Sequence, residues 1–234
     1  MSGAGKKKWL NVTAVVLAVV AAFLLGTMLT SRGSSDQAAP QQAEKQQESP
    51  LVKLARRTPG DPLAIGKPDA PVVMLNYSDY RCPFCAKFTR DIEPELIKRY
   101  VESGVLRIEW RDFPIFGEES LAAAKAGRAA AAQGKFWEYV GAIYQDAPEK
   151  GHPSLPHDEL VGYAQRVGIT DIAKFEADMN DPATLEAIRA DAIEGSQIGV
   201  SSTPTFLVND EPILGAQPLD QFVQTIERVE AAAR

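Results

Sequence analysis

The sequence predicts an α/β fold carrying a large all-helical insertion, and three observations predict it. The segments "VVMLNYS" (72–78), "VLRIEWRDFP" (105–114) and "TPTFLVND" (203–210) are apolar and β-branched or aromatic at the spacing of strands. The interval from Glu118 to about Ile198 keeps helical spacing almost throughout. The order is therefore strand–helix–strand, a helical block, then strand–strand–helix, and such alternation builds a layered sheet.

Each element has a local reason. "GDPLAIGKPDAP" (60–71) is a Pro/Gly-punctuated entry, and Val72–Ser78 follows it as a buried strand. "PFCAKFTRDIEPELIKRYVES" reads as one helix from Pro83 to about Ser103, with Phe84, Phe88, Ile92, Leu96 and Ile97 at helical spacing. Proline suits the first helical position, Pro94 predicts a kink inside, and Gly104 a stop. In the helical block, "SLAAAKAGRAAAAQ", "KFWEYVGAIYQ", "HDELVGYAQRVG", "DIAKFEADM" and "ATLEAIRADAIEGSQIG" form successive helices. "EPILGA" is the hairpin partner of the strand before it, and "PLDQFVQTIERVEAAA" a final helix.

The N-terminus has another character. Lys6, Lys7 and Lys8 precede a run without charge from Trp9 through Ser31. As a helix that run is roughly 35 Å long, enough to cross a bilayer. It exceeds a signal-peptide core and lacks a small-x-small cleavage site, so it reads as an uncleaved anchor. The expected organisation is a cytoplasmic N-terminus (1–8), a transmembrane anchor (9–30), a flexible Gln/Ala/Ser/Glu-rich linker (31–50) and an extracytoplasmic globular domain (51–234), with the helical insertion at about 118–198. A formal charge of −6 argues against a nucleic-acid surface.

The only two cysteines of the chain, Cys82 and Cys85, stand in "SDYRCPFCAKF". A structural zinc site wants four ligands, and the two histidines, His152 and His157, lie far outside finger spacing. They read as a loop and a helix start. A structural clip is weak too, because a bridge closing so short a loop removes little unfolded-state entropy. A redox pair remains. A cysteine at a helix start meets unpaired N–H groups and the positive end of the dipole, which favour thiolate. Cys82 is thus expected as an exposed, acidic nucleophile and Cys85, one turn on, as a shielded resolving thiol. Of the nearby aromatics, Tyr77 and Phe88 read as core, whereas Phe84 lies at the helix tip as an apolar contact.

"GDPLAIGKPDAPVVMLNYSDYRCPFC", "WRDFP" and "STPTFLVN" together resemble the thioredoxin superfamily, and the helical insertion narrows the resemblance to the DsbA-like thiol–disulfide oxidoreductases in their membrane-anchored, Gram-positive or actinobacterial-like form. The resemblance covers the chain from about Asp61 onward. It implies a thioredoxin-like fold, a cis Pro204 facing a redox disulfide Cys82–Cys85, and Thr203, Pro83 and Phe84 as the client-binding surface. It also implies no cofactor or metal, a monomer that oxidises reduced or unfolded exported proteins, and a membrane reoxidase of the DsbB or vitamin-K-epoxide-reductase (VKOR) kind. A membrane-tethered reductase, as in cytochrome c maturation, is the alternative within the superfamily, and a non-catalytic holdase the alternative outside catalysis. Two positions depart from the pattern. Phe84 stands where strong oxidants carry histidine, which implies a milder oxidant. Asn76 stands where relatives carry a buried acid serving the resolving thiol, which implies either that a water, Asp79 or Glu109 substitutes or that the step is slower.

Overall fold

The computed structural model describes residues 49–233. The expected anchor at 9–30 and nearly all of the expected linker lie outside them. Among the described residues no helix is long and apolar enough to cross a membrane.

A five-stranded sheet, in the order β1-β3-β2-β4-β5, forms the centre of the described residues. Strands β2 (Val72–Ser78) and β3 (Leu106–Asp112) are parallel and buried on both faces. Strand β4 (Thr205–Val208) runs antiparallel beside β2, with Asn76 opposite Phe206, and β5 (Glu211–Leu214) closes that edge. At the other edge the two-residue β1 (Ala64–Ile65) pairs antiparallel with β3, inside the stretch expected to be only an entry loop.

The expected single helix after Cys82 is two. Helix α1 spans Pro83–Asp91, Ile92 leaves helical geometry at φ −120°, and α2 restarts at Glu93–Leu96. Pro94 has no N–H to offer, and its ring would crowd the carbonyl four residues back, so the chain breaks rather than bends. It then widens into a π turn over Ile97–Val101, where the Glu102 N–H reaches the Ile97 carbonyl at 3.0 Å. Gly104, at φ +82°, ends the segment.

Strand alternation sorts the packing. Val72 and Met74 face the same side as Leu106 and Ile108 and pack with Phe88 of α1 and with Phe222 and Ile226 of α8 (Leu219–Ala232). Val73, Leu75 and Tyr77 face the other way, against Leu51, Leu54 and Ala192. The insertion supplies α3 (Glu118–Ala131), α4 (Phe136–Asp146), α5 (His157–Arg166), α6 (Ile172–Asn180) and α7 (Pro182–Gln197). Its own core reaches the redox motif through Tyr80, Cys82, Cys85 and Trp110.

Charge fastens the second sheet face. Glu109 binds Arg107 at 2.8 Å and Arg111 at 3.1 Å, and accepts the backbone N–H groups of Arg56 and Arg57. Arg111 reaches Glu194 of α7 at 2.8 Å, while Asp191 of α7 takes both Arg56 and Arg128 of α3. The strap ahead of β1 and the helices α3 and α7 are thereby tied to one side of β3.

Candidate functional site

Cys82 caps α1. Its sulfur accepts the Cys85 N–H at 3.4 Å, and Pro83 occupies the first helical position, where no donor is lost. On its other side the thiol donates to the Thr203 carbonyl oxygen at 3.2 Å. The Thr203–Pro204 peptide is cis and leads into β4. The chain thus brings together residues 121 positions apart.

The expectation of an exposed Cys82 is corrected: the residue is only 2 % accessible. The sulfur lies against the Thr203 carbonyl and the residue packs into the core of the helical insertion, and Thr203 and Pro204 are themselves buried. The exposed member of the motif is Phe84, at 60 %, and Pro83 beside it is half-buried. Tyr77 and Phe88 are core residues.

The two sulfurs sit in opposite electrostatic settings. The Cys85 thiol donating to it is the largest influence on Cys82. Burial opposes ionisation, while the Thr203 hydroxyl and the N–H groups of Cys85 and Phe84 favour it, and the result is a pKa lowered to about 6. The Thr203 hydroxyl is buried with no hydrogen-bond partner of its own, so its proton is free for the thiolate. Burial and the neighbouring Cys82 push Cys85 well above the ordinary thiol range. A low-pKa nucleophile and a high-pKa partner divide the labour of disulfide exchange between them.

Asn76 is fully buried on the sheet face that packs against α1, and its Oδ1 accepts the Ser78 hydroxyl at 2.7 Å. Neither expected acidic substitute serves Cys85. Glu109 is opposite Leu75 in the register, so its carboxylate lies on the other sheet face from Asn76. Burial would raise its pKa, but the Arg107 hydrogen bond, the Arg56 and Arg57 N–H groups and nearby Arg111 hold it at about 2. The Asp79 carboxylate is spent on local structure, accepting from the N–H groups of Arg81, Ile115 and Phe116 and from the Ser120 hydroxyl. What reaches the Cys85 sulfur instead is the Asp79 backbone N–H and the Ser78 hydroxyl.

Ser78 and Tyr144 carry no expectation from sequence, and His152 is read there only as a loop residue. The Tyr144 hydroxyl donates to the Asp79 carbonyl at 3.0 Å and steadies the turn that carries Cys82. His152, from the loop before α5, places Nδ1 2.8 Å from the Arg81 carbonyl and stacks on Phe116. Ser78 was legible in principle, because it lies two residues from Asn76 and shares its strand face. The other two come from distant segments and leave no local signal. Beside Phe84 a polar cleft of about 350 Å³ is lined by Pro83, Lys87, Arg90, Asp91, Glu149 and Lys150.

Comparison with known proteins agrees with this geometry. The family model described as Thioredoxin matches residues 58–228. The chain is 32 % identical over 166 residues to the Na(+)/H(+) antiporter NhaA 1 of Mycobacterium sp. (strain KMS), a match spanning 69 % of this chain and 26 % of that protein. It therefore spans about a quarter of the length of such antiporters. It is also 27 % identical over 149 residues to the probable disulfide bond formation protein D of Bacillus cereus, over 62 % of this chain and 69 % of that protein. Among solved structures, oxidised BdbD of Bacillus subtilis superposes with a TM-score of 0.67 at 24 % identity, covering 74 % of this chain and 94 % of that one. The α-DsbA1 of Wolbachia pipientis gives 0.67 at 22 % identity, covering 78 % and 97 %. At these identities the structural likeness concerns the fold.

Proposed function

Because the chain belongs to the thioredoxin family, with the fold of BdbD and α-DsbA1, we propose that it is a thiol–disulfide oxidoreductase that introduces disulfide bonds into exported proteins. The observation that carries the reading is the Cys82 sulfur. It caps a helix, receives the Cys85 N–H and faces Thr203, and its pKa is lowered to about 6. Stabilising the thiolate stabilises the reduced form, and a pair with a stabilised reduced form is an oxidant.

The exchange runs in two steps. A client thiolate attacks Cys82 Sγ of the oxidised pair, the Cys82–Cys85 bond breaks, and its electron pair leaves on Cys85. A second client thiolate then attacks the client sulfur of the mixed disulfide and releases Cys82 as thiolate. Two electrons have passed from the client to the pair, and the client gains one disulfide. In this reading Phe84, Pro83 and the adjoining polar cleft receive the client, and the Thr203 backbone aligns it once the client has displaced the Cys82 contact. The chain has only these two cysteines, so the pair needs an external acceptor. A quinone-linked membrane oxidase of the DsbB or VKOR kind fits that need, and the charge-free run at 9–30 would hold the domain beside it on the extracytoplasmic side. The match to disulfide bond formation protein D supports the same direction.

The deciding experiment is redox equilibration of the purified protein with glutathione. The expected potential lies above the roughly −270 mV of thioredoxin. A value at or below it reverses the assigned direction and makes the protein a reductase.

A further inference from the structure

Cys85 is the leaving group when a client attacks Cys82, and the residue is only 1 % exposed. Water cannot solvate the charge that forms there, so the surrounding protein groups must. Those that favour the charged sulfur are the Asp79 N–H and the Ser78 hydroxyl. Ser78 is itself 2 % exposed, and its Oγ lies 2.7 Å from Oδ1 of the fully buried Asn76. The other end of that amide, Nδ2, is buried without any partner.

A hydroxyl carries one proton and two lone pairs, and a carboxamide has a donor end and an acceptor end. The chain Cys85–Ser78–Asn76 can therefore run in either direction. With Cys85 as a thiol, its S–H goes to Cys82 and the Ser78 proton goes to Asn76 Oδ1, as observed for the hydroxyl. With Cys85 as a thiolate, the Ser78 proton turns to the sulfur, and a half-turn of the amide brings Nδ2 to Ser78 Oγ. The orphaned donor then acquires its partner. We propose that Asn76 and Ser78 form a reversible hydrogen-bond chain that stabilises Cys85 as the leaving group during attack on Cys82.

The proposal rests on the thiol–disulfide exchange reading of the pair. No proton travels along the chain, and the electron pair of the broken S–S bond stays on Cys85 while the donors reorient around it. An ionised carboxylate at residue 76 could only accept hydrogen bonds, and would set a like charge near the forming thiolate. The amide has the donor end that this role needs.

The test measures the rate at which dithiothreitol reduces the oxidised protein, together with the ionisation of Cys85 in a Cys82→Ser background, followed by thiolate absorbance. Ser78→Ala is expected to slow reduction about tenfold or more and to raise the Cys85 pKa by about one unit, since a hydrogen bond to a charged group is lost. Ser78→Thr keeps the hydroxyl and is expected to stay near wild type in both readings. Asn76→Ala should fall between. A wild-type rate and titration for Ser78→Ala would overturn the chain. So would equal slowing in Ser78→Ala and Ser78→Thr with Cys85 ionisation unmoved, which is the mark of a packing defect. Failure of the wild-type protein to form a Cys82–Cys85 disulfide would instead sink the functional reading, and the Cys85 titration would still decide the chain by itself.

Discussion

The Tyr80 hydroxyl occupies the space where a side chain at residue 127 would begin: a Cβ placed on Gly127 would lie 1.8 Å from it. Tyr80 stands two residues before Cys82 and stacks within the Trp110 and Tyr144 rings, while Gly127 lies on α3 of the insertion. The missing side chain lets the helix settle onto the redox motif. Gly127→Ala is expected to cost about 1–3 kcal/mol through overpacking, read as a lower melting temperature. Adding Tyr80→Phe should restore only part of the loss, because the ring carbon 2.6 Å away remains. Full additivity of the two changes would count against direct contact.

Glu93 is a buried acid without an ion-pair partner to hold it charged. Burial pushes its pKa from 4.5 up to about 7, opposed only by a hydrogen bond from Thr89, and one carboxyl oxygen has no partner. Between those values the folded state binds more protons than the unfolded one, so stability falls as pH rises from 4.5 through 7 and then levels off. The change is on the order of 3 kcal/mol. Glu93→Gln should flatten this part of the stability–pH curve in urea titrations at pH 5 and pH 8. An unaltered slope would remove Glu93 as its source.

Asp191 joins the strap, α3 and α7, holding Arg56 and Arg128 and accepting the Asp112 N–H at 3.1 Å. Without it Arg128 keeps Asp112 at 2.6 Å and Arg56 keeps only Glu194 at 3.9 Å, so the loss is that of charged hydrogen bonds, about 1.5–3 kcal/mol. Asp191→Ala should therefore shift the chemical denaturation midpoint strongly. Asp158→Ala, on a fully exposed side chain, should leave it within experimental error.

Phe84 offers the thiolate no polar help from the tip of α1. Phe84→His would add an imidazole there. While protonated it favours the Cys82 thiolate, so the Cys82 pKa should drop below its present value of about 6 and the potential should rise. The gain is about 30 mV for each tenfold stabilisation of the reduced form. It should fade as pH rises past the imidazole pKa, near 6.5. A potential equal to that of the wild type at both pH 5.5 and pH 8 would show that this position does not act on the sulfur.

Much of the architecture was legible because it is locally encoded. Val72–Ser78, the Pro83 helix start, the helical block and the Thr205–Val208 strand each carry their own spacing and breakers. Two features were misread because they depend on partners remote in sequence. Cys82 sits at a helix tip, which alone suggests exposure, yet it packs into the insertion's core and against the Thr203 carbonyl 121 residues away. Glu109 has the right chemistry to serve Cys85, but the β2–β3 register sets it on the far face, and register is not written in either strand alone. β1, with two residues, is too short to show a period at all. Pro94 was recognised as a disturbance, but whether it bends or breaks the helix is settled by how Ile92 and Leu96 pack into the core.

The strap formed by Arg56 and Arg57 has a mechanical consequence. Its backbone is gripped by Glu109, on the sheet face turned away from Asn76, and its Arg56 side chain by Asp191 of α7. The clasp thereby couples the strap to β3 and α7 at once. Asp191 also holds Arg128 of α3, whose Gly127 lies against Tyr80, so the same clasp links the strap to the segment that carries Cys82.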